Sequence, residues 1–183
     1  MRLLMILMIV FATHVYAGPS VTDFTDTQKY NLSYAYNYGK AYDLMGELRD
    51  VNNPNFWNDR HLGTLFAAIA WEESSAGINT GRNKKGHHAY GMFQNLYTTV
   101  TSKLDNRGIP FRHWYLKRDL ERKSSSAEWA MDELSYWLKV RKGNIRIALA
   151  SYNAGWNYRA GLRYADRVLA KNQELKRTDF IYK

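Results

Sequence analysis

The chain has 183 residues, 45% hydrophobic and 23% charged, with no cysteine and a formal net charge of +9. That length supports one domain with its own core, and the missing cysteines exclude a disulfide framework and a thiolate metal site. The positive balance favours anionic partners: nucleic acid, a membrane surface or an acidic cell-wall polymer.

The first residues, MRLLMILMIVFATHVYA, carry Arg2, an apolar run over Leu3–Ala12 and small residues at Val15-Tyr16-Ala17. This is the layout of a secretory signal peptide, and the run is too short to span a bilayer comfortably. Cleavage is expected after Ala17, which leaves residues 18–183 as one exported domain in the periplasm or outside the cell; an uncleaved anchor is the alternative. Export argues against nucleic acid as the partner and leaves the wall and anionic lipids. After the short linker Gly18-Pro19-Ser20, a helix is expected from Asp26 to about Arg49, with Tyr30, Tyr34, Tyr38, Ala41 and Met45 near helical spacing. VNNPNFWND reads as a loop. A second helix is expected over Asp59–Ser75. The Gly-rich, polar stretch GINTGRNKKGHHAYG is a loop with room for a short hairpin. Helices follow over Phe93–Asn106, ended by Arg107-Gly108-Ile109-Pro110, over Ala127–Arg141, ended by Lys142-Gly143, over Asn144–Tyr152, ended near Gly155, and over Tyr158–Leu175. The class is therefore mainly α, with at most a small hairpin. Aromatics reach 15%, with 14 Tyr and 6 Trp, a surplus that suits stacking on ring-shaped ligands as well as ordinary packing.

The second helix ends in LGTLFAAIAWEESSAG, where an apolar run meets two adjacent carboxylates. On a helical wheel started at Leu62, the stripe Leu62, Leu65, Phe66, Ile69 centres near 0° and Glu73 falls at about 20°, inside it. Glu72 falls at about 280°, near the edge and within reach of water, and Trp71 at about 180°, opposite. A carboxyl at the Glu73 position loses water and sits at the negative end of the helix dipole; both raise its pKa. A carboxylic acid held protonated near neutral pH is what general acid catalysis requires. A buried Glu tied structurally to an Arg or Tyr is the competing reading.

AIAWEESSAG resembles the catalytic-helix signature of the soluble lytic transglycosylases and the related goose-type lysozymes, in which one Glu is followed directly by Ser, here Glu73-Ser74. AYGMFQN, with Gly91, Met92 and Gln94, is similar to the family's Gly-Leu-Met-Gln segment, with Met92-Phe93 in place of Leu-Met. ALASYNAGW, with Ala148, Tyr152, Asn153, Ala154 and Gly155, is similar to its Ala-Tyr-Asn-Ala-Gly segment. YADRVL, with Tyr164 and Val168, is a fainter likeness to its closing Tyr-Val helix. The likeness runs from Leu62 to Leu169. It implies a lysozyme-like fold, helices packed around a substrate groove. It implies Glu73 as general acid and then base, Ser74 positioning the substrate or the Glu, Met92 and Gln94 lining a sugar groove, and Tyr152 and Asn153 facing Glu73 across it. The substrate implied is the peptidoglycan glycan strand, with no cofactor and no metal; adjacent His87 and His88 in a loop make a poor chelate. The segment GRNKKGHH is a departure from the family, unusually basic and longer than its usual connection.

Glycosidic cleavage ordinarily uses two carboxylates. Asp105, Asp119 and Glu121 are available as a second, but none lies in a resembling segment. The family's route uses one: Glu73 protonates the oxygen between N-acetylmuramic acid and N-acetylglucosamine, then deprotonates the muramic 6-hydroxyl, which closes a 1,6-anhydro ring. A hydrolytic goose-type lysozyme is the alternative outcome, and a non-catalytic cationic wall-binding protein is the alternative of another class. Wall turnover, a secretion or conjugation apparatus, and phage entry or lysis are all compatible settings.

Overall fold

The computed structural model describes residues 20–45, 62–80, 88–178 and 180. The segment expected to be a signal peptide, the expected loop at 51–59 and the basic run 81–87 lie outside the described residues. After a 3₁₀ turn at Val21–Asp23 the elements are α1 (Asp26–Met45), α2 (Leu62–Ser74), β1 (Ala89–Tyr90), β2 (Asn95–Leu96), α3 (Tyr97–Asn106), α4 (His113–Leu120), α5 (Lys123–Val140), α6 (Ile145–Ala154), a 3₁₀ turn at Tyr158–Gly161, and α7 (Leu162–Arg177). The described chain is mainly helical, as its periodicity predicts. β1 and β2 form one antiparallel pair, Ala89 opposite Leu96 and Tyr90 opposite Asn95. No helix among the described residues is long and apolar enough to cross a membrane.

α2 is the axis of the molecule. Every residue from Leu62 to Trp71 is buried, so the one-sided stripe read from the wheel is replaced by a helix that is apolar all round, as a core helix must be. α1 and α7 pack directly against it, and α6 packs on α5 and α7, all within one continuous hydrophobic cluster. Trp71, expected on the far side, is 5% exposed and meets the Phe24 ring edge-on at 4.9 Å.

Of the residues whose spacing predicted α1, Tyr34 and Tyr38 are half-buried against the core. Tyr30 and Ala41 are exposed, and the buried positions are Gln28, Asn31, Leu32, Ala35 and Gly39. The reason is proximity. A Cβ on Gly39 would lie 2.7 Å from the Leu62 carbonyl oxygen, and one on Gly63 would lie 2.8 Å from the Tyr36 ring. Two helices that close accept only small residues at the crossing, and the tyrosines flank it. Tyr38 stacks on Phe66 at 5.7 Å and Phe66 on Phe93 at 4.2 Å, which ties α1, α2 and the hairpin turn into one column.

The hairpin falls later than expected. Phe93 and Gln94 are in its turn, not in a helix, and α3 begins only at Tyr97. Gly91 has φ 76°, and a Cβ there would be 2.1 Å from the Leu120 carbonyl oxygen. The Asn95 amide donates to the Ser126 carbonyl and hydroxyl at 3.0 and 2.9 Å, which draws the chain into a strand. α4 is an additional helix in a stretch to which the sequence pattern assigned no element, and α5 starts four residues before Ala127. α6 behaves as expected: the Asn144 side chain accepts from the Ile147 amide at 3.1 Å and Gly155 ends the helix at φ 61°. The last helix begins as a 3₁₀ turn because Gly161 packs onto Ala150.

A second, smaller cluster of Val100, Leu104, Leu116 and Leu120 lies under α3 and α4, with Tyr90, Tyr97, Phe111 and Trp129 around it. α5 serves both clusters, and a cleft opens along their seam.

Gly39→Ala is expected to destabilise the protein by about 1–2 kcal/mol, because overpacking at the crossing outweighs the gain of about 1 kcal/mol in helix propensity. The urea midpoint of unfolding checks this; a higher midpoint for the variant would mean that α1 and α2 are not in such contact.

Candidate active site

α2 places Glu73 in its last turn, and the chain then reverses through Ser75, Ala76 and Gly77, all with positive φ (52°, 57° and 86°). Consecutive left-handed residues, two of them not glycine, persist only where their surroundings hold them. Here α1 does so. The Gln28 amide donates to the Ser75 carbonyl at 3.1 Å and the Asn31 amide to the Ala76 carbonyl at 2.8 Å. The polar inner face of α1 is therefore a clamp on the turn that follows the carboxylates.

The two glutamates have separate fates. Glu72 is paired with Arg167 at 2.6 Å and Lys171 at 2.5 Å, both from α7, and its side chain is only 10% exposed. It is covered by cations where the wheel placed it within reach of water. Glu73 accepts a 2.7 Å hydrogen bond from the Tyr164 hydroxyl. Burial pushes its pKa up to about 7; the Tyr164 hydrogen bond pulls the other way, the Glu72 charge adds to the rise, and Lys171 and Arg167 oppose it. The Tyr164 and Tyr152 hydroxyls are raised well above the usual tyrosine value, first by burial and then by the Glu73 charge. Both stay protonated, so Tyr164 is a fixed donor. The two rings stack at 6.3 Å.

Glu73 opens into a cleft of about 750 Å³, within the usual range for small-molecule and oligomer sites. One wall is the β-hairpin and α3, through Gln94, Leu96, Thr99 and Lys103. The opposite wall is the end of α6, through Tyr152 and Asn153. α5 runs along it and presents Trp129, Glu133 and Trp137, three residues four apart and so on one helix face.

Of the residues singled out from sequence, Glu73, Gln94, Tyr152 and Asn153 line this cleft together. Gln94 is held at φ 47°. Its amide nitrogen donates to the Gly91 and Thr80 carbonyls at 2.8 and 3.0 Å, leaving the amide oxygen as its acceptor. The Tyr152 hydroxyl donates to the Phe93 carbonyl at 3.4 Å, and Asn153 is exposed. Ser74 and Met92 are not among the lining residues. Ser74 is buried, donates to the Met92 carbonyl at 2.6 Å and accepts from the Gly77 amide at 2.7 Å. It joins the end of α2 to the hairpin turn, beneath the cleft, and Met92 is buried beside it. Tyr164, which sequence reading placed only in a faint likeness, is the residue that holds Glu73.

Sequence reading missed Glu133. Its carboxylate accepts from the Trp137 indole at 2.6 Å and pairs with Lys103 at 2.5 Å, and Lys103 also reaches Asp132 at 2.7 Å. The available signal was the spacing Trp129, Glu133, Trp137, which sets an acid between two indoles. Asp105, Asp119 and Glu121 do not line the cleft. Beyond Trp137, the Arg141 guanidinium lies against the Trp137, Trp156 and Tyr158 rings at 5.3, 5.2 and 5.1 Å and donates to the Ser151 hydroxyl at 2.9 Å. That contact locks the end of α5 to α6 and so fixes the width of the cleft.

The cleft thus sets a buried carboxyl among aromatic and polar side chains. The chain is 42% identical over 165 residues to the uncharacterized 20.7 kDa protein of the vs-regB intergenic region of Enterobacteria phage T4, an alignment that covers 90% of this chain and 89% of that protein. It belongs to the family of that phage protein. No protein-family model matches the chain, and no solved structure matches it significantly.

The raised Glu73 pKa has a stability consequence. Between the ordinary value of 4.5 and about 7, the folded state holds a proton that the unfolded state has released, so stability falls as pH rises through that window. Glu73→Gln is expected to remove this fall. At pH 8 the variant should be more stable than the parent by on the order of 2–3 kcal/mol, and at pH 4 nearly equal to it. Urea unfolding at the two pH values checks this; a variant less stable at pH 8 would show Glu73 to be a structural anchor.

Proposed function

We propose that this protein is an exported enzyme that cleaves peptidoglycan, with Glu73 as its acid and base. The observation that carries this reading is the Glu73–Tyr164 pair at the mouth of an aromatic cleft. A carboxyl with a pKa of about 7 is protonated in a large fraction of molecules at neutral pH, and after giving up its proton it is a base of matched strength. The order of Glu73-Ser74, Gly91–Gln94 and Tyr152–Gly155 along the chain resembles the lytic transglycosylases. The lysozyme-like arrangement of helices around a groove belongs to this proposal.

In the first step Glu73 gives its proton to the glycosidic oxygen between N-acetylmuramic acid and N-acetylglucosamine, and the bond to the muramic anomeric carbon breaks. Tyr164 then stabilises the carboxylate that forms. In the second step Glu73 takes the proton of the muramic 6-hydroxyl as its oxygen bonds to the anomeric carbon. The product is a 1,6-anhydro ring, and no water is consumed. Gln94, Tyr152 and Asn153 hold the sugar, and the half-buried indole of Trp129 packs against it.

A second reading, hydrolysis, is favoured by Glu133, a carboxylate that shares the cleft with Glu73. Both its oxygens are engaged, by Trp137 and Lys103, which makes it a weaker candidate for activating water than a free carboxylate. The encoding of a 42%-identical relative by a bacteriophage supports phage entry or lysis as the setting among those named above.

Purified sacculi digested with the protein should release muropeptides with anhydro ends, one water lighter than reducing ends, and Glu73→Gln should release none. kcat/KM should fall as pH rises through about 7, as Glu73 loses the proton it must donate. Reducing ends that disappear in Glu133→Gln would establish the hydrolytic reading. Undiminished release by Glu73→Gln would exclude both.

A further inference from the structure

The Trp129 side of the cleft borders another hollow. A second groove, of about 600 Å³, begins at the same indole and runs between α4 and α5 over Leu104, Phe111, Trp114 and Tyr115. Trp129 thus lines both hollows. The floor of the second groove is the small hydrophobic cluster beneath α3 and α4. Its rim is unusual for a solvent-facing helix: Trp114 is 63% exposed and Tyr115 50%, with their rings edge-on at 5.9 Å. A lone exposed ring needs no account, but four aromatic rings along one concave surface do. The charged groups are few and peripheral, Arg112 and Asp119.

That combination selects a ligand class. A pyranose has apolar C–H faces and a rim of hydroxyls, so flat rings below and an occasional charged group at the edge satisfy both parts. A bilayer would find a lined hollow where it needs a convex apolar face. The shared indole adds to the argument, since it places the two hollows side by side, within the span of one polymer.

We propose that the groove between α4 and α5 binds a further stretch of the same glycan strand, so that the protein takes the polymer in preference to short oligosaccharides. This rests on reading the cleft as a glycan site. The test uses the full chain carrying Glu73→Gln, so that nothing is cut, with two probes: peptide-stripped glycan strands from sacculi, and a tetrasaccharide of the same repeat. The exposed rings of Trp114 and Tyr115 can be removed without opening the core. Trp114→Ala and Tyr115→Ala should each weaken strand binding about tenfold, equivalent to roughly 1.4 kcal/mol, and leave the tetrasaccharide Kd unchanged; Trp114→Phe should recover most of the loss. Unchanged strand binding, or equal weakening for both probes, overturns the proposal. Loss of binding to anionic phospholipid vesicles with strand binding intact overturns it in favour of a membrane surface. Cleavage of sacculi by the unmutated chain is scored separately. If it releases nothing while the strand still binds through Trp114, the enzymatic reading falls and the saccharide groove stands.

Discussion

A carboxyl group at the end of a buried helix has to find compensation for the water it loses, and most of this molecule can be traced to how Glu73 finds it. Its donor is the Tyr164 hydroxyl at 2.7 Å. One neutral hydrogen bond offsets only part of the desolvation of a charge, so the proton stays on to about pH 7. Arg167 and Lys171 are close enough to help, but Glu72 takes both of them. The adjacent acid thus performs a service that its position alone does not disclose. By pairing with the two cations and adding a like charge it offsets their pull on the Glu73 pKa. α7 supplies both the cations that pair with Glu72 and the hydroxyl that holds Glu73.

Holding that geometry consumes much of the fold. The helix that carries Glu73 is enclosed on every side, and the three left-handed residues after it are clamped by Gln28 and Asn31. Polar residues on the inner face of α1, and glycines at its crossing with α2, trade apolar burial for a backbone that cannot shift. Ser74 passes the same constraint to the hairpin turn that bears Gln94. The cleft itself lies between two hydrophobic clusters joined by α5, so its walls rest on separate packing units.

Much of this was legible in the sequence. Hydrophobic periodicity located α2, α3, α5, α6 and α7 to within a few residues, and Asn144 and Gly155 marked the ends of α6 because capping chemistry is local. Glu73 was separable from Glu72 on a wheel even though the wheel's premise, a one-sided helix, was wrong. The angle that put Glu73 beside Phe66 and Ile69 also put it toward α7. What stayed hidden depends on partners distant in sequence. Tyr164 is 91 residues from Glu73, and nothing local to either announces the bond. Glu133 looked like an ordinary acid on an amphipathic helix until α3 supplied Lys103. The tyrosines of α1 marked the helix by their spacing, but only the structure shows that Tyr34, Tyr36 and Tyr38 flank the glycine crossing, half-buried against the core. α4 is short, charged and rich in exposed rings, so it carries little periodic signal.

The most direct measurement is the titration of the Glu73 side-chain carboxyl, followed by carbon NMR in protein labelled at glutamate and assigned with Glu73→Gln. The account predicts a midpoint near 7. It also predicts a higher midpoint in Tyr164→Phe, which lacks the donor, and a lower one in Glu72→Gln, which loses a like charge and frees two cations. A midpoint at the ordinary glutamate value, unmoved by either substitution, would contradict it.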